Sequence, residues 1–406
     1  MSSFSKNKQY YKFCAYGFLK NLRFFDAFFI LFLIEKGLPY TQIGILYAVR
    51  EIFINVFEIP SGLLADTYGR KNALMASFVA YIASFYVFYR AEHFWWFLLA
   101  FILYGVGDAF RSGTHKGMIM DYLKWHNWQD YKISYYGHTR SWSQKGSALS
   151  CLIAGVIVFF TGSFQNIFLF SIIPYIINLF LVCSYPNELN KSNHKHKKNH
   201  IGNTFKSFFS IMKKVEVLKI INSSAAHSAY LKAVKDYIQP LMIQVAILMP
   251  IMLSVDSEKK NGLIVGVLYF FIYLATSRAS RLASWFYDKN KVSVSYQTLI
   301  VGFGLGVLCG VFTFLNLWAL ALLSLIGIYL IENIRKPILT GVVSDNVPNE
   351  ILTSVISAQS LLKTIMTTIL ALVFGILADY FSLGTAFIVV SFALVVVSVT
   401  INKKVN

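Results

Sequence analysis

The sequence predicts an all-α membrane protein with twelve transmembrane helices. Of its 406 residues, 56% are hydrophobic and only 14% are charged, whereas soluble proteins carry about 25% charged residues. The apolar residues fall into long stretches, and about 20 mostly apolar residues suffice for a helix to cross a bilayer. Short polar loops rich in Lys and Arg separate these stretches. Together, these observations exclude an ordinary soluble domain.

Six apolar stretches occupy the first half of the chain. They lie near residues 12–34, 41–64, 71–90, 94–121, 139–161 and 165–184. The first contains Lys20, Arg23 and Asp26, and no small-residue cleavage site follows it. This pattern favours a retained helix over a cleaved signal peptide. The length of 94–121 predicts a tilted helix or one that extends beyond the bilayer.

Six further stretches follow a polar break. They lie near residues 218–247, 261–282, 293–314, 317–336, 351–378 and 383–401. The break at 186–215 is rich in Lys and His and is typical of a solvated linker. We therefore predict a six-helix bundle at 1–185, a basic cytoplasmic linker at 186–215 and a second bundle at 216–406. The linker histidines have no carboxylate partners at fixed spacing, so we predict no metal site.

The loop charges predict the orientation. If the N-terminus is cytoplasmic, most Lys and Arg residues outside the helices lie on the cytoplasmic side, while Lys36, Arg90, Lys259 and Lys260 face the other side. The positive-inside rule then places both termini in the cytoplasm, in an inner or plasma membrane. The net charge of +18 is spread over separate loops. It makes no continuous basic face, so membrane lipid is the predicted partner and nucleic acid is not.

No motif in the chain indicates catalysis. The four cysteines lie in separate apolar segments, which excludes paired redox or zinc spacing. The chain contains no nucleotide-binding loop and no recognisable catalytic triad. We therefore predict that the protein is not an enzyme and needs no cofactor.

A polar turn between the second and third predicted helices is the most specific motif. It reads Gly62-Leu63-Leu64-Ala65-Asp66-Thr67-Tyr68-Gly69-Arg70-Lys71, and Glu58-Ile59-Pro60-Ser61 precedes it. It resembles the loop that joins helices two and three in the major facilitator superfamily, and its flank resembles the drug/proton antiporter-like branch. The segments 105–114 and 335–348 also resemble family sequences at the matching helix ends. The resemblance spans nearly the whole chain.

The resemblance implies two pseudo-symmetric six-helix bundles that rock around a central site. It also implies a conformational latch on the cytoplasmic side, in which Asp66 meets the N-terminal end of helix eleven and Arg70 pairs with Asp121 at the end of helix four. The residues expected to form this latch are Gly62, Asp66, Gly69, Arg70, Lys71 and Asp121.

Ionisable residues at mid-depth are the candidates for substrate binding. Each costs at least ~2.5 kcal/mol at the bilayer centre, so each is expected to face the protein interior or a wet cavity. The set is Arg23, Asp26, Arg50, Glu51, Lys232, Lys235 and Lys363. Arg23 and Asp26 are three residues apart and share a helix face. Arg50 and Glu51 are adjacent and point in different directions, so we expect them not to pair simply with each other.

Asp26, Glu51 and Asp108 are the candidates for proton coupling. An apolar environment raises the pKa of a carboxyl group and a nearby arginine lowers it, so a conformational change that separates the two groups can bind or release a proton. Histidine is the residue type whose charge most readily changes near neutral pH, which makes His115, His138 and His227 further candidates, but a lone helical histidine is more often simply hydrogen-bonded.

Three functions stay open on the sequence alone. The resemblance around 58–71 favours a monomeric transporter for proton-coupled efflux of small amphipathic compounds. The excess of mid-depth cations, together with Lys116 where that branch has acidic residues, favours an anionic solute or a metal chelate. A non-transporting membrane receptor or scaffold is the third possibility, and it predicts that all buried charges pair internally.

Overall fold

The computed structural model describes residues 5–112, 114–128, 131–190, 215–249, 256–287, 291–346 and 349–403. All regular elements in these ranges are helical. This confirms the predicted fold class. Long apolar segments lie in the hydrocarbon of a bilayer, where no water is present to hydrogen-bond the backbone. Each segment therefore satisfies its own N–H and C=O groups by forming a helix.

The first predicted span is a broken helix rather than the continuous one expected over 12–34. It consists of α1 (Lys8–Lys20), a 3-10 helix (Phe24–Ala27) and α2 (Phe29–Glu35). Side chains of α8 (Asn166–Cys183) form hydrogen bonds with backbone groups that the break leaves without helical partners. Phe24 N–H donates to Ser171 Oγ at 3.1 Å, and the Tyr175 hydroxyl donates to Lys20 O at 3.0 Å. The sequence of the span does not show these tertiary partners.

The rest of the first half follows the predicted spans closely, except that the predicted span 94–121 is divided between two helices. Its helices are α3 (Tyr40–Tyr68), α4 (Arg70–Arg90), α5 (Phe94–Arg111), α6 (Thr114–Trp125), α7 (Lys132–Thr161) and α8 (Asn166–Cys183). The polar turn of the motif is short, because α3 continues to Tyr68 and α4 begins at Arg70. Gly69 alone separates the two helices.

The second half contains another break. Its elements are α9 (Val215–Val234), a 3-10 helix (Lys235–Tyr237), α10 (Ile238–Leu248), α11 (Ser257–Tyr287), α12 (Lys291–Phe314), α13 (Trp318–Asn346), α14 (Asn349–Tyr380) and α15 (Leu383–Lys403). The charged pair Lys235 and Asp236 lies in the 3-10 turn, whereas the sequence indicated mid-helix positions.

Eight helical segments of the described chain are long and apolar enough to cross a membrane. They are Arg70–Arg90, Phe94–Trp125, Ser141–Thr161, Asn166–Cys183, Tyr296–Phe314, Trp318–Arg335, Gln359–Tyr380 and Leu383–Ile401. The other four predicted spans are also helical, in α1–α2, α3, α9–α10 and α11. Breaks or internal charges interrupt their apolar windows.

The chain divides into two compact units, and neither is continuous in sequence. The first contains Met1–Lys36, Val49–Lys195 and Pro250–Tyr273, and the second contains Gly37–Ala48, His196–Met249 and Leu274–Asn406. The predicted boundaries at 185 and 216 stay a prediction. Residues 191–214 of the predicted linker lie outside the described residues.

Aromatic packing fixes the broken first helix inside the first unit. Phe25 stacks on Phe168 with ring centroids 5.2 Å apart, and Phe29 stacks on Phe101 at 5.1 Å. All four side chains are buried. Such ring pairs each contribute about 0.5–1.5 kcal/mol beyond area burial. They hold the 3-10 turn, and with it the charged residues of the break, against α8 and against α5, which carries Asp108 and Arg111.

Candidate functional site

An arginine–aspartate pair lies at the break in the first helix of the first unit. Arg23 Nη2 lies 2.8 Å from Asp26 Oδ2, and Arg23 Nη1 donates to the Tyr104 hydroxyl on α5 at 2.5 Å. The guanidinium of Arg50 lies over the same tyrosine ring, 5.8 Å from its centroid. Tyr104 therefore links two of the predicted substrate-binding arginines, through a hydrogen bond and a cation–π contact.

Arg50 and Glu51 do pair with each other, so the sequence-based expectation was wrong. Arg50 Nη2 lies 3.1 Å from Glu51 Oε1. The long arginine side chain folds back along α3 and overcomes the difference in direction between adjacent positions. Glu51 is only 1% exposed. An unpaired carboxylate at that depth costs several kcal/mol, which explains why the two side chains turn toward each other.

Asp108, the third predicted proton-coupling residue, is held by two donors. Arg111 Nη2 lies 3.0 Å from Asp108 Oδ1, and the Tyr81 hydroxyl donates to the same oxygen. Arg111 Nε also donates to the Tyr81 hydroxyl at 3.0 Å. Asp26, Glu51 and Asp108 thus each contact an arginine in this structure. Their roles in proton coupling stay predictions.

The expected contact between Arg70 and Asp121 is present at the motif. Arg70 Nη1 lies 2.5 Å from Asp121 Oδ2, and both side chains are about nine-tenths buried. The role of this pair as a latch stays a prediction. Among the other predicted latch residues, Gly62 has open space around it on α3, and the side chain of Asp66 lies outside the described residues.

Gly69 shapes the turn that positions Arg70. Its φ of 97° is one that residues with a Cβ rarely adopt. The absence of a Cβ also leaves room for Asn190, whose Oδ1 accepts from the Lys71 backbone N–H at 3.0 Å. The Lys71 ammonium donates to Tyr185 O at 3.0 Å. The motif therefore anchors the chain that follows α8.

The other predicted cations, Lys232, Lys235 and Lys363, belong to the second unit. Lys235 Nζ lies 3.5 Å from Asp236 Oδ1, and the Tyr47 hydroxyl donates to Asp236 Oδ2 at 2.9 Å. Lys232 and Lys363 are half-buried on α9 and α14. The part of these three lysines in substrate binding stays a prediction.

A buried His227–Glu332 pair lies in the second unit; the sequence analysis named His227 but missed its partner Glu332. His227 Nδ1 lies 2.7 Å from Glu332 Oε2, and Glu332 Oε1 accepts from the Ser228 hydroxyl. Arg335 follows one turn later on the same helix as Glu332, donating to Thr298 Oγ1 at 2.6 Å. Glu332 lies within the predicted span 317–336, where a single acid in an apolar run was the available signal.

The described residues enclose two cavities of note, one in each unit. A cavity of about 380 Å³ in the first unit is lined by Phe13, Tyr16, Gly17, Lys20, Asn21, Arg111, His115, Lys116, Ile119, Thr139, Ser143 and Gln144. A larger one of about 660 Å³ in the second unit lies at helix ends near Tyr40, Pro240, Phe314 and Tyr380. Only the smaller cavity has charged side chains in its described lining. No group of His, Cys, Asp and Glu in the described chain is arranged to hold a metal ion.

Helices of membrane length with charged side chains paired in their interiors define a polytopic integral membrane protein. The sequence matches the Major Facilitator Superfamily over residues 18–369, so the chain belongs to that family of transporters. The expected resemblance is confirmed at this level. The match identifies the superfamily and does not assign the chain to the drug/proton antiporter-like branch.

Known relatives agree with this assignment. The chain is 24% identical over 389 residues to the uncharacterized MFS-type transporter YxaM of Bacillus subtilis (strain 168), covering 92% of this chain and 89% of that protein. Among solved structures, the nucleoside transporter NupG has a TM-score of 0.77 at 11% identity, covering 98% and 100% of the two chains. A POT family transporter in complex with a thioalcohol conjugated peptide has a TM-score of 0.70 at 13% identity, covering 97% and 94%. At these identities the structural likeness concerns the fold alone.

Proposed function

We propose that the protein is a secondary active transporter that couples the movement of a small solute to protons by alternating access. The buried His227–Glu332 pair carries the proton-coupling part of this proposal. His227 is 0% and Glu332 is 3% exposed. A buried titratable pair can bind a proton when the unit is open to one side of the membrane and release it when the unit is open to the other.

The charge balance around the pair explains how it exchanges a proton. With a neutral imidazole, the Glu332 carboxylate balances the guanidinium of Arg335, which is 1% exposed. An added proton leaves one excess positive charge in an apolar site, and such a charge is costly unless water or a counter-ion reaches it. A conformational change that admits water therefore changes the number of protons that the pair holds.

The surroundings of the pair fit this role. The titratable and charged groups around it include Arg335 on α13 and Tyr230 on α9, whose hydroxyl bonds to Ser391 at 2.6 Å. The ring of Phe303 on α12 covers His227 at 5.7 Å between centroids. His227 Nε2 has no hydrogen-bond partner among the described residues. A proton can therefore enter at Nε2 while Nδ1 passes its own proton to the Glu332 carboxylate, so that Glu332 holds the added proton.

The acids of the first unit are the alternative proton sites. Asp26, Glu51 and Asp108 each contact an arginine, which favours the charged carboxylate. An arginine keeps its charge at physiological pH, whereas the imidazole that contacts Glu332 can itself gain or lose a proton. We therefore rank Glu332 ahead of them for coupling.

Export of small amphipathic compounds stays a prediction that rests on the sequence around 58–71. A non-transporting receptor is the competing function, and the internal pairing of Arg23, Arg50 and Arg111 with acids fits it. A receptor needs no exchangeable proton, so the protonation of Glu332 separates the two functions.

Infrared difference spectroscopy between acidic and alkaline buffers tests the proposal without a substrate. The purified protein is expected to show a protonated-carboxyl band at acidic pH that is lost in Glu332→Gln. His227→Gln removes the hydrogen-bonded partner and is expected to shift the same band. Glu188→Gln, in the turn after α8, is the matched control and should leave the band unchanged. A band that persists in Glu332→Gln, or no titrating band at all, would contradict the proposal.

A further inference from the structure

We infer that the cavity of the first unit binds the negatively charged group of the transported solute, a carboxylate or a phosphate. This inference names the substrate class and therefore rests on the proposed function. The site is built by helices of the first unit: the C-terminal part of α1, the end of α5, α6 and the N-terminal half of α7. Its volume of about 380 Å³ suits one small organic anion or the acidic end of a larger one.

The charge of the cavity wall is the first argument. Its described lining includes the cations Lys20, Arg111 and Lys116 and contains no carboxylate. Asp108, outside the lining, pairs with Arg111 at 3.0 Å and offsets that one charge. No described acid forms an ion pair with Lys20, which is half-buried. Like charges around one partly dry space repel each other, and an anion between them relieves that repulsion.

An unsatisfied hydroxyl is the second argument, and it is independent of the first. Tyr16 lines the cavity and is 3% exposed, yet its hydroxyl has no hydrogen-bond partner among the described residues. Buried hydroxyl groups are almost always hydrogen-bonded, so an orphaned one indicates a missing acceptor. A carboxylate or phosphate oxygen is such an acceptor.

The geometry of the wall holds that hydroxyl in place. The Tyr16 ring stacks on His115 with centroids 3.6 Å apart and planes 9° apart. His115 in turn lies 3.4 Å from the Tyr185 hydroxyl through Nε2. The donors Ser143 and Gln144 of α7 complete the polar wall. A donor held in place by ring stacking favours binding of an oxyanion, because little ordering is needed when the ligand binds.

The charge of the ligand decides the test, so the probes share one ring and differ only in charge. They are phenylphosphate, benzoate, benzyl alcohol and benzylammonium. Binding to the full chain in nanodiscs of zwitterionic lipid is measured by calorimetry at fixed pH. We expect phenylphosphate to bind most tightly and benzoate next, with benzyl alcohol and benzylammonium at least about tenfold weaker than phenylphosphate. Equal or tighter binding of benzylammonium would overturn the inference.

Variants locate the binding site. Lys20→Gln is expected to weaken phenylphosphate binding about tenfold, and Tyr16→Phe, which removes only the hydroxyl, about fivefold. Lys8→Gln, an exposed position on the same helix, is the matched control and should bind like the wild type. Unchanged affinity in both Lys20→Gln and Tyr16→Phe would overturn the assignment to this cavity.

A lipid headgroup carries the same chemistry as the solute and is tested separately. Nanodiscs containing phosphatidylglycerol should leave phenylphosphate affinity within about twofold of the zwitterionic value, because a lipid that does not enter the cavity does not compete there. Loss of binding in these nanodiscs would assign the cavity to lipid and overturn the solute assignment. All these measurements are made at one pH and without a gradient. Their failure is therefore distinct from failure of the proton-coupling proposal, which the infrared titration tests.

Discussion

The Arg70–Asp121 pair allows a quantitative test of how the polar motif stabilises the first unit. The N–O distance is 2.5 Å, and the side chains are 12% and 10% exposed. Removal of one partner from a buried pair costs ~3–5 kcal/mol, whereas an exposed pair contributes up to ~1 kcal/mol. With about one-tenth of each side chain exposed, we expect Arg70→Gln and Asp121→Asn each to cost about 3 kcal/mol.

The double variant separates the pair from its surroundings. It leaves neither charge unpaired, so we expect it to cost about 4 kcal/mol, less than the sum of the single variants. The coupling is then about 2 kcal/mol, equivalent to a factor of roughly 30 in the unfolding constant. Unfolding by SDS, followed by circular dichroism in detergent, measures all four proteins. The non-contacting positions Lys8 and Glu92 provide the control cycle, with Gln at each. A coupling for Arg70 and Asp121 as small as the control coupling would refute the reasoning.

Three further changes test other parts of the structure. The Asp379 carboxylate accepts hydrogen bonds from the first two backbone N–H groups of α3, one of them at 2.7 Å. Asp379→Asn should therefore speed amide hydrogen exchange at the start of α3 and lower the free energy of unfolding by about 1 kcal/mol. Unchanged exchange would count against the contact. Gly69→Ala should destabilise the protein by about 1–3 kcal/mol because of the positive φ at this position. Gly62→Ala should not destabilise it, because an added Cβ at position 62 meets open space. Equal effects of the two substitutions would contradict the turn geometry. Partial burial, followed by repulsion from Glu258, raises the pKa of Glu35, which is the last residue of α2 and lies beyond the predicted span 12–34. The charged carboxylate therefore disfavours the folded state, and Glu35→Gln should stabilise the protein slightly above the folded-state pKa of this group. That gain should disappear as the pH falls below the unfolded-state pKa near about 4.3, and a gain that persists in acid would exclude this cause.

The motif residues were the most predictable part of the site. Arg70 and Asp121 lie 51 positions apart, and only the family resemblance indicated their contact. The helical fold followed from apolar length alone, because a membrane leaves helices as one of very few ways to satisfy the backbone. These features depend on local composition or on a specific motif, and both are readable in one sequence.

The parts that sequence reasoning missed depend on tertiary contacts. The break after α1 is stabilised by Ser171 and Tyr175, which are about 150 residues away in the chain. Glu332 was one acid in an apolar run, and its importance appears only when His227 is found 2.7 Å away. Arg50 and Glu51 turn toward each other because an unpaired charge at their depth is costly, and helix periodicity alone does not include that cost.

The two units differ in the partners of their buried acids. In the first unit, the described acids at mid-depth contact arginines, and cations line the cavity. In the second unit, an acid contacts a histidine instead. An arginine–carboxylate pair holds its charge over the physiological pH range, while a histidine–carboxylate pair does not. We therefore expect the first unit to recognise the solute and the second to respond to pH.

Proton movement with a solute gradient is the most direct test of the central claim. Proteoliposomes with an entrapped pH-sensitive dye are loaded with phenylphosphate and diluted into solute-free buffer. The wild type is expected to change the internal pH as the solute leaves. Glu332→Gln is expected to show no pH change while still exchanging labelled phenylphosphate across the membrane. Solute efflux from the wild type without a pH change, or an undiminished pH change in Glu332→Gln, would contradict the account.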